Sequence, residues 1–189
     1  KKGLFSDTGC AIQVLGWNDD LARVDLAERF RHCRGNPDGA RVIDGTDRFL
    51  MPGLADMHVH ISSEDEFLLF LANGVTTVRD MWGNAERLAW RAAIERGEIL
   101  GPTIYTSGPI IDGNPPWIEG SVVVETAEEA EREVAEEKAA GYDFLKVYDL
   151  LTRDAYLAIV EAARVHEMPV VGHVPDAVGL SGVLAAGQA

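Results

Sequence analysis

Beyond residue 50, short apolar runs alternate with amphipathic stretches, each closed by a turn signal. An apolar run at 50–57 is followed by Ser63-Glu-Asp-Glu66, which has the spacing of a helix capping box. Phe67 to Leu71 is apolar, and Asn73-Gly74 is a helix stop. Val75-Thr-Thr-Val-Arg-Asp80 is β-branched and short, a buried strand by composition. Asn84 opens a helix through Leu88, Ala92 and Ile94 to a stop at Gly97, and Pro102 to Thr106 reads as a third strand. A Gly/Pro/Trp-rich loop is expected from Gly108 to Gly120. Thr126-Ala-Glu-Glu129 is a second capping box, on a helix that runs to Ala140 and stops at Gly141. Phe144 to Tyr148 is a fourth strand, Thr152 starts a helix with apolar positions 156, 159, 160 and 163, and Pro169 to Val174 is a fifth strand. Asp176 to Ala186 is weakly helical.

Five strand-then-helix units in succession predict an α/β protein with a parallel sheet and helices outside it. An open doubly wound sheet and a (β/α)8 barrel both satisfy that pattern. No Gly-rich fingerprint follows the first strand, which counts against a dinucleotide-binding sheet. Polar side chains suited to metals fall at the C-terminal ends of the first, fourth and fifth strands, where barrel enzymes build their sites. The preferred fold is therefore a partial TIM barrel of about five β/α units over 50–189. A complete barrel needs roughly 250 residues, so the chain reads as the N-terminal half or so of a longer protein. Residues 1–49 form a small lead-in region, a possible remnant of a small β-sandwich. Within it, residues 9–16 read as a short strand, 19–32 as a loose helix, Asn36-Pro-Asp-Gly39 as a turn and 40–45 as another strand.

Bulk properties narrow the function classes. With 47% hydrophobic and 25% charged residues, the 189-residue chain is ordinary for a globular protein and long enough to need no disulfide scaffold. Its formal charge of −14 argues against nucleic-acid or anionic-membrane partners. Much of that charge sits in the Glu-rich segment 125–137, which reads as a solvated helix face. Cys10 and Cys33 lack a Cys-x-x-Cys context and are incidental. No apolar run is long enough to span a membrane and no signal-peptide core follows the basic start, so localisation stays open.

Three positions carry candidate chemistry. If 49–60 enters a strand, His58 and His60 project from one face with Asp56 a step deeper, because side chains alternate with period 2. Two imidazoles at a strand end are either ligands of one divalent metal or a hydrogen-bonded structural pair. On the strand 144–148, Leu145 and Val147 face the helices if Lys146 faces the barrel mouth. Lys146 is then either paired with a carboxylate or, with its pKa lowered by burial, a site for carbamate formation that could bridge two metals. His173 ends the fifth strand after Gly172 and is a structural histidine or a ligand of a second metal. His166, at a helix end, and His32, in the lead-in, are not assigned to the site.

Phe49-Leu-Met-Pro-Gly-Leu-Ala-Asp-Met-His-Val-His60 resembles the signature of the metal-dependent amidohydrolase superfamily. Gly74 to Asp80, Gly108-Pro-Ile-Ile-Asp-Gly113, Gly141 to Tyr148 and Val171-Gly-His-Val-Pro175 resemble its imidazolonepropionase-like and prolidase-like branch. The resemblance covers about 40–189. It implies a (β/α)8 barrel with His58 and His60 on a first metal, a carboxylated Lys146 as a bridge, and His173 on a second. It also calls for a histidine ending a sixth strand and an aspartate ending an eighth, positions outside this chain.

The implied reaction is hydrolysis of an amide-like C–N bond in a non-linear amide, cyclic amide or dipeptide, using metal-activated water. Mixed nitrogen and carboxylate-type ligation suits zinc, one or two ions per full-length chain. Tyr148 and Trp117 are candidate substrate contacts, Trp117 on the loop after the third strand. The expected partner is a small-molecule substrate, with a homo-oligomer possible. Two alternatives are carried. Gly53, His58, His60 and Glu64 loosely resemble a cupin metal site, which would need strands after the motif. The chain as given could also be an inactive fragment or an association-prone scaffold, since parallel barrel strands with open edges invite association.

Overall fold

The computed structural model describes Asp47, Phe49 and residues 51–189. The lead-in assignments up to residue 45, together with Cys10, Cys33 and His32, lie outside the described residues. Eleven elements follow: β1 (Leu54–Val59), α1 (Glu66–Ala72), β2 (Val75–Asp80), α2 (Ala85–Arg96), β3 (Thr103–Asp112), β4 (Val122–Val123), α3 (Ala127–Ala140), β5 (Phe144–Val147), α4 (Arg153–Val165), β6 (Val170–Gly172) and α5 (Gly179–Ala186). The strands lie in the order β1-β2-β3-β5-β6, with β4 beside the end of β3. The pairs β2–β3, β3–β4, β3–β5 and β5–β6 are all parallel. Apart from the short β4, each main strand is followed by one helix, giving about five β/α units and a partial TIM barrel.

Local chemistry explains most boundaries. Asn84 Oδ1 accepts from the Glu86 and Arg87 amides, and Gly97 closes the helix in the left-handed region at φ 75°. Thr126 and Glu129 form a complete capping box on α3. The Thr152 hydroxyl accepts from the Ala155 amide to start α4. At α1 the outcome differs from the expected box. The N-cap is Asp65, while the Glu66 carboxylate folds back to accept from the Ser62 and Ser63 amides and the Ser62 hydroxyl. The third strand also differs: β3 continues through the expected loop to Asp112. Parallel partners β4 and β5 hold that second half, across an irregular register between Ser107 and Ile110.

The five described helices pack on one face of the sheet. Val59, Val78 and Ile104 meet Phe67 of α1 and Ile94 of α2 in one cluster. Leu145, Val147, Ile111 and Val170 meet Val134 of α3, Tyr156 and Ile159 of α4 and Val183 of α5 in a larger one. The opposite face carries Phe144 and Val171, clustered with Met81. One-sided helices exclude the doubly wound alternative, and α1 directly after the histidine motif excludes the cupin. Among the described residues, no helix is long and apolar enough to cross a membrane.

Candidate active site

Period-2 alternation in β5 decides where Lys146 goes. Leu145 and Val147 are consumed by the helix-side core, so Phe144 and Lys146 face the other way. Lys146 is only 1% exposed, yet among the described residues its ammonium makes no hydrogen bond or salt bridge. The face of the Tyr148 ring lies 5.9 Å from Nζ. The reading of Lys146 as half of a carboxylate pair is therefore not what the structure shows. Burial lowers its pKa, the Arg79 charge lowers it further, and Asp149 opposes both.

His58 lies in β1 and His60 one residue beyond its end. Their Nε2 atoms are 3.3 Å apart, and the Asp56 carboxylate accepts from the His58 amide at 3.1 Å. Burial lowers the His58 pKa, followed by the charges of Lys146, His60, Arg79 and His173. His60 is lowered by burial and then by Lys146 and His173. Both imidazoles therefore favour the neutral form, which is the form with a lone pair to donate. The four side chains selected from the sequence sit close enough for Lys146 and His173 to act on both members of the pair.

His173 follows β6, where its amide donates to the Val147 carbonyl at 3.0 Å. Its Nδ1 lies 3.1 Å from Asp149 Oδ1, and its ring stacks on Tyr148 at 4.0 Å between centroids. Trp117 lies on the loop after β3. Its indole is 70% exposed, and its backbone amide is held by Asp112.

Several residues of this region had no sequence signal of their own. Arg79 donates from Nε to the Met57 carbonyl at 2.7 Å and lies over the Phe144 ring. Asp112, fully buried, accepts from the amides of Gly113, Trp117 and Leu150, tying the loop after β3 to the loop after β5. Asp149 was readable only as a polar residue after a strand.

Whether these side chains suit a metal can be judged from their spacing. Two nitrogens on one tetrahedral zinc, each about 2.0–2.1 Å from the ion, stand roughly 3.3–3.4 Å apart. The His58–His60 separation fits that value, and it is equally the length of a hydrogen bond between the two rings, so both readings of the pair stand. The convergence goes no further, because no three His, Cys, Asp or Glu side chains among the described residues group tightly enough to hold an ion. The described residues thus supply a histidine pair at ligand spacing, with no third such ligand gathered beside it.

The amidohydrolase family profile matches residues 49–186. Among solved structures, a bottromycin amidohydrolase is 30% identical with a TM-score of 0.69, covering 71% of this chain and 31% of its own. A protein of Bifidobacterium longum assigned as a prolidase is 27% identical with a TM-score of 0.65, covering 82% and 42%. The A. niger ochratoxinase, at 21% identity and a TM-score of 0.60, shares the fold. No protein of curated function matches. The chain spans about a third to a half of the length of these structures. With its parallel half-barrel and a family match over most of its length, the chain belongs to the amidohydrolase family.

Proposed function

We propose that the full-length protein hydrolyses an amide-like C–N bond of a small molecule, and that His58, His60 and Lys146 hold a divalent metal with His173 at a second position. The observation that carries this reading is the 3.3 Å separation of the two imidazole nitrogens at the end of β1. The family match and the amidohydrolase neighbour support the reaction class. Zinc suits the donor set, since imidazole nitrogen and carbamate oxygen are both within its range.

Lewis acidity toward a carbonyl oxygen and toward water is the chemistry such an ion supplies when bound. The chain's own residues do the rest. Arg79 pins the β1 backbone through the Met57 carbonyl and so fixes the strand that carries the histidines. Asp149 occupies Nδ1 of His173, which leaves Nε2 as the outward donor, and the Tyr148 face restricts that ring's rotation. Lys146, buried without a carboxylate partner, is placed to take up carbon dioxide: its neutral amine adds to the carbon and releases a proton. The product is an anion in the position where an ammonium would repel metal. Tyr148 beside His173, and Trp117 on the loop anchored by Asp112, are the substrate contacts in this reading.

Metal analysis of the full-length protein tests it. One or two divalent ions per chain are expected, falling by at least one in His60→Ala together with loss of amide hydrolysis. A protein that holds no metal and cleaves amides equally well after chelation would sink the proposal.

A further inference from the structure

A hollow of about 400 Å3 opens beside His60, and neither Lys146 nor His173 lines it. Its walls come from the segments after β1 and β2, the first turn of α2, the second half of β3 and the loop after it, and include His60, Ile61, Trp82, Asn84, Arg87 and Pro109. The volume is in the range of small-molecule sites. Trp82 is 40% exposed and meets His60 edge to face, with ring centroids 6.1 Å apart and planes at 82°. A group lying on the indole would therefore sit about one ring's width from the histidine pair.

The charges in the wall select against an anion. Arg87 is the one cation of the lining, and its guanidinium is already engaged by two carboxylates: Nε with Asp80 at 3.1 Å and Nη1 with Glu86 at 3.0 Å. Its plane also rests on Trp90, 4.6 Å from the ring centroid. Among the lining residues no cation is therefore left free to pair with a further carboxylate. Ile61, Pro109 and the Trp82 face supply apolar surface instead. Asn84 spends its Oδ1 on two helix amides, and among the described residues its amide nitrogen has no partner, so one neutral donor stands at the rim.

We propose that this hollow is a substrate subsite that receives an uncharged aromatic group flanking the scissile amide, with Trp82 as its specificity-determining side chain. The assignment rests on the hydrolase reading above, since it makes the group part of the molecule being cleaved.

Binding of benzamide and benzoate to the full-length protein, followed by ligand-observed NMR titration, separates the possibilities. Benzamide is expected to bind wild type about five- to tenfold more tightly than Trp82→Ala, the amount an aromatic contact supplies, with Trp82→Phe restoring most of the difference. Benzoate should bind more weakly than benzamide to the metal-free wild type. Equal benzamide affinity in wild type and Trp82→Ala, or a preference for benzoate in the metal-free protein, overturns the subsite. Hydrolysis is read in the same preparations with Gly-Gly, Phe-Gly and Gly-Phe. A KM lower by about fivefold or more for one Phe dipeptide, lost in Trp82→Ala, supports the proposal. Cleavage of all three with no such dependence overturns the subsite alone. No cleavage of any amide, with benzamide binding still dependent on Trp82, overturns the hydrolase reading and the substrate role with it.

Discussion

Charge is buried on both faces of this sheet, but it is settled differently on each. On the helix-facing side, Asp80 is fully buried and meets the Arg87 guanidinium at 3.1 Å. Glu137 of α3 is also buried there, with Oε2 accepting from the Gly108 amide at 3.2 Å and Oε1 without a hydrogen-bond partner among the described residues. Its pKa is pushed up to about 8, first by burial and then by the nearby charge of Glu133, so it is protonated at neutral pH. One carboxylate is compensated by a cation and the other by a proton. On the opposite face Lys146 has neither a carboxylate nor a hydrogen bond among the described residues, although burying an ion costs several kcal/mol. Packing alone does not offset that cost. A buried amine with no such partner among the described residues is the arrangement expected where the partner comes from outside them.

Replacing Lys146 is the strongest way to break that contrast. In the full-length protein Lys146→Met should lower amide hydrolysis by about 10^3- to 10^4-fold, on the order of 4–5 kcal/mol. The same variant should be as stable as wild type or more stable by about 1–2 kcal/mol, because a desolvated polar group has been replaced by an apolar one of similar length. Parallel activity assays and thermal melts decide the matter. A melt lowered by several kcal/mol with activity retained would make Lys146 a structural residue like those on the helix side.

The compensated pair should behave in the opposite manner. Arg87→Met leaves Asp80 buried without its cation and should cost about 3 kcal/mol of stability at pH 8. The Asp80 pKa is already raised to about 6, chiefly by burial, with Arg87 working against the rise. Removing Arg87 therefore raises it further. A carboxyl whose folded pKa is raised destabilises the fold as pH climbs from its unfolded value through the folded one. The deficit should thus be small near pH 4 and full by pH 8. Denaturant titrations at those two pH values, with Glu86 unchanged, should show the gap; a deficit independent of pH would mean that Arg87 acts through its stacking on Trp90 instead.

How much of this could be read from the sequence follows from where each determinant resides. Helix ends set by short-range hydrogen bonds, such as Asn84, the Thr126–Glu129 box and the glycines at 97 and 141, were legible because their partners lie within a few residues. The positions of His58, His60, Lys146 and His173 were legible because period 2 and the strand-then-helix order place them without knowledge of contacts. The second half of β3 was not. Gly108-Pro109 reads as a breaker, yet a Cβ at Gly108 would come within 2.4 Å of the Glu137 carboxyl carbon. The glycine there serves close approach of a helix 29 residues away, a requirement that no local pattern contains. Asp112 shows the same limit. In a Gly/Pro-rich stretch it reads as a turn residue, whereas one of the three amides it accepts from belongs to Leu150 on another loop. The hollow beside His60 is likewise assembled from segments that meet only after folding.

Glu137 offers the smallest and most specific test of the helix-side half of the contrast. Its folded pKa of about 8 stands well above the ordinary carboxyl value of 4.5, so between those two pH values the folded state binds more protons than the unfolded state. Stability must then fall as pH rises through that window and level off above it. At 1.36 kcal/mol per pKa unit the ceiling is roughly 5 kcal/mol, and local relaxation toward water should leave about 2 kcal/mol. Glu137→Gln keeps an oxygen for the Gly108 amide and removes the charge. The variant should match wild type near pH 4 and gain progressively up to pH 8–9, as read from urea unfolding midpoints across that range. Tyr142, Glu133 and the Gly108 backbone are the groups facing this carboxyl, and only Glu133 shares the low-pH end of the window. Repeating the series in Glu133→Gln should therefore shift the upper end of the transition downward while preserving its sign. A Glu137→Gln advantage that is constant with pH would show that the carboxyl is already ionised in the fold, and the proton would then not be what compensates it.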